Sequence, residues 1–151
     1  MKNQHTSYSI LDLALVSDGN SLKQTYNDAL KLAQQAEKFG YTRYWLAEHH
    51  NAPNIASSAT SILIGYVAQG TTKLRIGSGG IMLPNHSPLL VAEQFGTLGS
   101  LYPNRIDLGL GRAPGTDGET AKAIRSDFME AAHSFPNEID KIQKYFSYYL
   151  V

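Results

Sequence analysis

The chain has 151 residues, 42% hydrophobic and 17% charged, which is the profile of one folded domain with a proper core rather than of a disordered segment. Thirteen basic residues balance thirteen acidic ones, so nothing points to a polybasic nucleic-acid or membrane surface. Cysteine is absent, which excludes disulfides, thiolate metal sites and a cysteine nucleophile.

The polar start Met1–Ser9 lacks the apolar stretch of a signal peptide, and no apolar run approaches the roughly 18 residues of a membrane span. The expected location is cytoplasmic. Ser9–Val16 (SILDLALV) is the first strand-like run. A helix follows in which Ser21 and Gln24 form a capping box, Leu22, Tyr26, Leu30 and Ala33 share a face, and Gly40 ends the element in the left-handed conformation. Tyr41–Ala47 is the second strand. Ser58–Ala68 is the second helix, with Ile62, Leu63, Tyr66 and Val67 facing inward.

Leu74–Leu83 (LRIGSGGIML) is the third strand. Ser87 then serves as N-cap and Pro88 as first helical residue of a helix through Ser100. Arg105–Leu110 is the fourth strand, followed by a helix near Thr120–Ala132. A last amphipathic stretch, Asn137–Leu150, carries Ile139, Ile142, Tyr145 and Phe146. Strand starts recur about every 32 residues, the spacing of βαβ units in a parallel sheet. An open doubly wound sheet and part of a (β/α)8 barrel both fit that spacing. The glycines of Gly77-Ser78-Gly79-Gly80 sit inside a strand, not between strand and helix, which disfavours a dinucleotide-binding turn.

Ligands of parallel α/β proteins meet the C-terminal ends of the strands. Asp18 follows the first strand; Glu48, His49, His50 and Asn51 follow the second; Asn85 and His86 follow the third; Gly111, Arg112, Gly115 and Asp117 follow the fourth. Each has a structural reading beside the functional one. A histidine at a strand end is as often a satisfied polar group as a catalytic one. Glu48-His49-His50 supplies metal-ligand types, but neighbouring strand residues point to opposite faces, so His49 and His50 make poor joint ligands and no metal is expected. Arg112 is either a surface arginine or, between glycines, an anion-binding one. Gly79-Gly80 marks either a bulge or a place where a flat ring lies on bare backbone.

Three runs, YWLAEHHN, LRIGSGGIMLPNHSPLLVAEQFGTL and RIDLGLGRAPGTD, together resemble the bacterial-luciferase-like flavin-dependent monooxygenases, over about Ser9–Phe146. The resemblance is to the single-component luciferase-like or alkanal monooxygenase subgroup. It implies the first half of a (β/α)8 barrel, with residues 1–151 as one truncated domain without a linker. It further implies reduced FMN, or F420 in some branches, bound at the C-terminal rim, with O2 oxygenating an aldehyde or similar small molecule and a flavin reductase as a possible supplier. His49 matches the family histidine near the reactive edge of the flavin. Gly79 and Gly80 match the small pair whose non-prolyl cis peptide packs under the ring. Arg112 matches an arginine that helps hold the cofactor phosphate.

A full barrel of this kind needs eight strands and typically ~250 residues. This sequence supplies four, and its end, Ser147–Val151, reads as an apolar tail appended to a familial helix. Two unpaired sheet edges and an uncovered inner face are then expected, with homo-oligomerisation as their simplest cover. Three functional readings stay open: a monooxygenase, a catalytically inactive remnant, and a flavin-binding protein without turnover.

Overall fold

The computed structural model describes residues 6–149. Four strands, β1 (Ser9–Asp12), β2 (Arg43–Leu46), β3 (Arg75–Met82) and β4 (Ile106–Gly111), form one sheet in the order β1-β2-β3-β4, with every neighbouring pair parallel. Between them run α1 (Leu22–Lys38), α2 (Thr60–Gln69) and α3 (Pro88–Leu101). After β4 come α4 (Gly118–Ile124), α5 (Phe128–His133) and α6 (Phe135–Tyr149). This is half of a (β/α)8 barrel: helices cover one face of the sheet, and β1 and β4 are its edges.

The core lies between sheet and helices. Tyr44 and Leu46 of β2 and Ile76 of β3 point into it, where Ile64 and Val67 of α2 and Val91 and Phe95 of α3 meet them. Each such fully buried aliphatic side chain contributes about 1.5–3 kcal/mol. The alternate residues Arg43 and Trp45 face the opposite, concave side, as strand alternation requires. Ile142 of α6 joins the same core, and α6 packs back on α3.

Several elements differ from the sequence expectation. The first strand ends at Asp12, not Val16: the Asp12 carboxylate accepts from Ala14 N–H at 2.8 Å, Ala14 adopts φ 50°, and Leu15 instead bridges Ile55 antiparallel. In α2 the buried residues are Thr60, Leu63, Ile64, Val67 and Ala68, while Ile62 is 73% exposed and Tyr66 is exposed as well. That helix is apolar almost all round, so periodicity does not set its phase. In α1 the buried residues are Thr25, Ala29, Ala33 and Ala36, small side chains that let the helix approach closely, and Leu22 is exposed.

The caps hold in part. Ser21 Oγ accepts from Gln24 N–H at 3.2 Å, but the Gln24 side chain donates to Asp28 instead of reaching back. Gly40 has φ 78°, the left-handed C-terminal position expected of it. Ser87 precedes Pro88 as expected yet makes no side-chain cap bond. The stretch expected as one helix over Thr120–Ala132 is two, α4 and α5, broken at the extended Arg125. Arg125 donates to Asp127 Oδ1 at 2.8 Å and to His86 O at 3.0 Å, so the break ties this segment to the end of β3. The last helix begins at Phe135, earlier than Asn137, and Leu150 lies outside the described residues.

Candidate functional site

Two clusters sit at the C-terminal ends of the strands. The first is a shallow cleft of about 360 Å³ on the concave face, lined by Leu11, Trp45, Ser78, Gly79, Gly80, Gly109 and Leu110. Its floor is backbone. A Cβ on Gly80 would lie 2.8 Å from Gly109 O, and one on Gly79 would lie 2.9 Å from Leu11 Cδ1 and 3.0 Å from Trp45 Cβ. The Gly79–Gly80 peptide bond is cis. The β3–β4 register shifts between Ser78 and Ile81, and Ser78 fills the break: its hydroxyl donates to Gly109 O at 2.8 Å and accepts from Gly109 N–H at 3.0 Å.

Lower on the same concave face, Asp107 of β4 gathers two arginines. Arg43 Nε donates to Asp107 Oδ2 at 3.0 Å, and Arg75 Nε does so at 2.9 Å with a further close bond from its Nη2. The hydrogen bond from Arg75 leads in holding the Asp107 carboxyl below its ordinary range.

The second cluster centres on Glu48, just past β2 and fully buried. Its Oε1 accepts from His50 Nε2 at 2.7 Å, His86 Nε2 at 2.8 Å and Asn85 Nδ2 at 3.3 Å, and its Oε2 accepts from Met82 N–H at 2.9 Å. Burial pushes the Glu48 carboxyl up, but the hydrogen bonds from His86, His50 and Met82 N–H outweigh it and hold it below the usual range. Asn85 Nδ2 also donates to Pro114 O at 2.8 Å, while its Oδ1 is buried without a partner among the described residues.

One donor atom from each of Glu48, His50 and His86 lies within 4.8 Å of the others, which is the composition of a metal site. In this geometry the separations are those of hydrogen bonds. At 2.7 and 2.8 Å from the carboxylate oxygen, the imidazole nitrogens stand at charge-assisted hydrogen-bond distance. Ligand atoms of a tetrahedral zinc stand about 3.3 Å apart, given metal–ligand bonds of about 2.0–2.1 Å.

The residues singled out in the sequence are thus divided. Gly79 and Gly80 are together in the cleft. His49 is half-buried and outside the Glu48 cluster, while His50 turns into it. Arg112 lies at the end of β4, exposed, with its Nε donating to Ala132 O at 3.1 Å. Sequence reasoning weighs Glu48 only as a metal ligand and misses its role as the hub of this cluster. The i, i+2 spacing of Glu48 and His50, which puts both on one face of extended backbone, is the available signal for their pairing.

The sequence matches the family model described as luciferase-like monooxygenase over residues 6–136. It is 54% identical over 146 residues to a luciferase-like monooxygenase of Escherichia coli, covering 97% of this chain and 44% of that one. It is 43% identical over 134 residues to the N-acetyl-S-alkylcysteine monooxygenase of Bacillus subtilis, covering 89% of this chain and 40% of that one. The chain therefore spans less than half the length of the relatives it matches. Among solved structures, apo-MsnO8 superposes with a TM-score of 0.85 at 37% identity, over 92% of this chain and 41% of that one. At fold level alone, the FMN complex of the oxygenating constituent of 3,6-diketocamphane monooxygenase from Pseudomonas putida (TM-score 0.69, 21% identity, 92% of this chain and 36% of that one) is similar. So is an F420-dependent secondary alcohol dehydrogenase bound to an F420–acetone adduct (TM-score 0.59, 20% identity, 85% and 41%). A parallel half barrel, the three strand-end motifs and these matches lead to one statement: this chain belongs to the luciferase-like monooxygenase family.

Proposed function

We propose that the chain supplies the ring-binding half of a flavin site, in which reduced FMN, or alternatively F420, lies on the Gly79–Gly80 backbone and O2 oxygenates an aldehyde or similar small organic molecule. The observation that carries this reading is the side-chain-free floor of the concave cleft. A flat aromatic ring needs a flat, apolar support, and a Cβ at Gly79 would stand against Leu11 and Trp45, which line the cleft. That the similar folds named above hold FMN and an F420 adduct supports a cofactor of this shape and leaves both candidates open.

When bound, the reduced cofactor supplies the two electrons that O2 activation requires. The chain's own residues bind and orient. Leu11, Trp45 and Leu110 flank the ring and shed water from it. His49, beside the cleft-forming strand end, is the group to hold or move a proton there. Arg112, whose Nε is taken by Ala132 O, has its terminal nitrogens for a phosphate. A flavin reductase is the natural supplier of the reduced cofactor, and the cytoplasm the natural location. No helix among the described residues is long and apolar enough to cross a membrane.

The open concave face and the two edge strands call for a cover, and a second copy of the chain is the one proposed. Light scattering at micromolar concentration should then find a dimer or larger species, and a clean monomer counts against it. A second reading, flavin binding without turnover, stands beside the enzyme. Titrations with FMN and with F420 followed by fluorescence test the site. A dissociation constant tighter than ~1 mM, or about 4 kcal/mol, supports it, and weaker binding of both eliminates an autonomous flavin site. Aldehyde-dependent O2 consumption then separates enzyme from binder.

A further inference from the structure

The Glu48 cluster lies beside the flavin cleft without forming its floor, and its wiring is specific. A carboxylate only accepts hydrogen bonds, so each imidazole nitrogen that contacts it must carry a proton. The contacts are made by Nε2: His50 meets Oε1 at 2.7 Å, and His86 is shared between Oε1 at 2.8 Å and Oε2 at 3.0 Å. The other acceptor positions of Glu48 are taken by Met82 N–H and Asn85 Nδ2. These donors come from the loop after β2, the end of β3 and the turn that follows it, so one buried carboxylate knits two strand ends together.

We propose that Glu48 is a positioning residue that locks His50 and His86 in the same tautomer, Nε2–H, leaving Nδ1 of each ring as the hydrogen-bond acceptor. The assignment rests on the flavin reading of the neighbouring cleft only for the identity of the ligand, not for the tautomers. Asn85 Oδ1, buried without a partner among the described residues, is a further acceptor beside the two rings. His50 also borders an open cleft with Asn51, Asp117, Glu119 and Thr120, where acceptor oxygens again abound. The complementary ligand group is a donor, an N–H or O–H of cofactor or substrate, rather than an anion.

The substitution Glu48→Gln gives an outcome that a merely structural role does not. Met82 N–H is main chain and cannot reverse its polarity, so the carbonyl oxygen of the introduced amide must take the Oε2 position. The amide NH2 then occupies the Oε1 position and points a hydrogen at His50, while His86 Nε2, 3.0 Å from the Oε2 position, keeps an acceptor there. His50 is expected to switch to Nδ1–H with Nε2 bare, and His86 to keep Nε2–H. Glu48→Asp keeps an acceptor-only group and should keep Nε2–H.

Two-bond proton–nitrogen NMR correlations of the full chain, without flavin, read the tautomers directly, with His50→Gln and His86→Gln assigning the signals. A protonated Nε2 on both rings of the wild type, reversed at His50 alone in Glu48→Gln and retained in Glu48→Asp, is the expected pattern. A bare Nε2 on either ring of the wild type, or an unchanged pattern in a folded Glu48→Gln protein, overturns the proposal. Should Glu48→Gln not fold, the wild-type and Glu48→Asp spectra still decide. Because no flavin is present, failure of the cofactor reading leaves these spectra untouched.

Discussion

The Ser78 hydroxyl and the Gly109 peptide hold each other twice, once as donor to the carbonyl at 2.8 Å and once as acceptor from the N–H at 3.0 Å. A side chain thereby replaces a rung of the β3–β4 ladder where the register slips, and Gly79 and Gly80, which line the cleft, lie within that slip. Ser78→Ala leaves both Gly109 groups without that partner. A loss of about 1–3 kcal/mol is expected, read as a lower urea midpoint with an unchanged slope.

Gly79 and Gly80 should respond differently to a methyl group. At Gly80 the added Cβ would meet main chain, Gly109 O at 2.8 Å, which cannot move aside, so Gly80→Ala should destabilise the fold by about 1–3 kcal/mol. At Gly79 it meets the end of the Leu11 side chain, which can swing away, as well as Trp45 Cβ. Gly79→Ala should be the milder change in thermal melting yet weaken FMN by about tenfold or more, because the methyl would stand where the proposed ring lies. Equal flavin affinity for wild type and Gly79→Ala would remove the ring from this floor.

The Glu37 carboxylate near the end of α1 accepts from the N–H groups of Thr72 and Leu74, each at 2.8 Å, and from Lys73 N–H between them. Burial works against the ionised form, but these three main-chain donors outweigh it and hold Glu37 below its ordinary range. Glu37→Ala frees three donors at the entry to β3. Since that turn is largely exposed, water recovers part of the loss, and about 1–2 kcal/mol is expected in a denaturant titration.

Acid should weaken the fold through Asp107. Its folded carboxyl titrates below the unfolded value, with the Arg75 hydrogen bond as leading cause. A depressed carboxyl contributes stability that is fully present above the unfolded value of about 3.9 and is lost as pH falls through the folded one. Melting temperature should therefore drop as pH falls below about 4. In Asp107→Asn the fall should be shallower and the neutral-pH stability lower, because Arg43 and Arg75 then share an uncharged partner. Parallel acid profiles for the two proteins would assign the loss elsewhere.

The strand runs announced the four parallel strands, Gly40 its helix end, and the three strand-end motifs the family, because each depends on residues close in sequence: alternation, a left-handed turn, a local string. The phase of α2 was not legible, since a helix apolar on nearly every side takes its orientation from what it packs against. Nor was the break between α4 and α5, which Arg125 makes by reaching His86 O, 39 residues back in the chain. The site divides the same way. The sequence alone determined that Gly79 and Gly80 leave a strand bare. Only the tertiary structure decided that Glu48, His50, His86 and Asn85 meet, since a buried carboxylate is tolerable only where the fold delivers enough donors to it, and those donors come from separate segments.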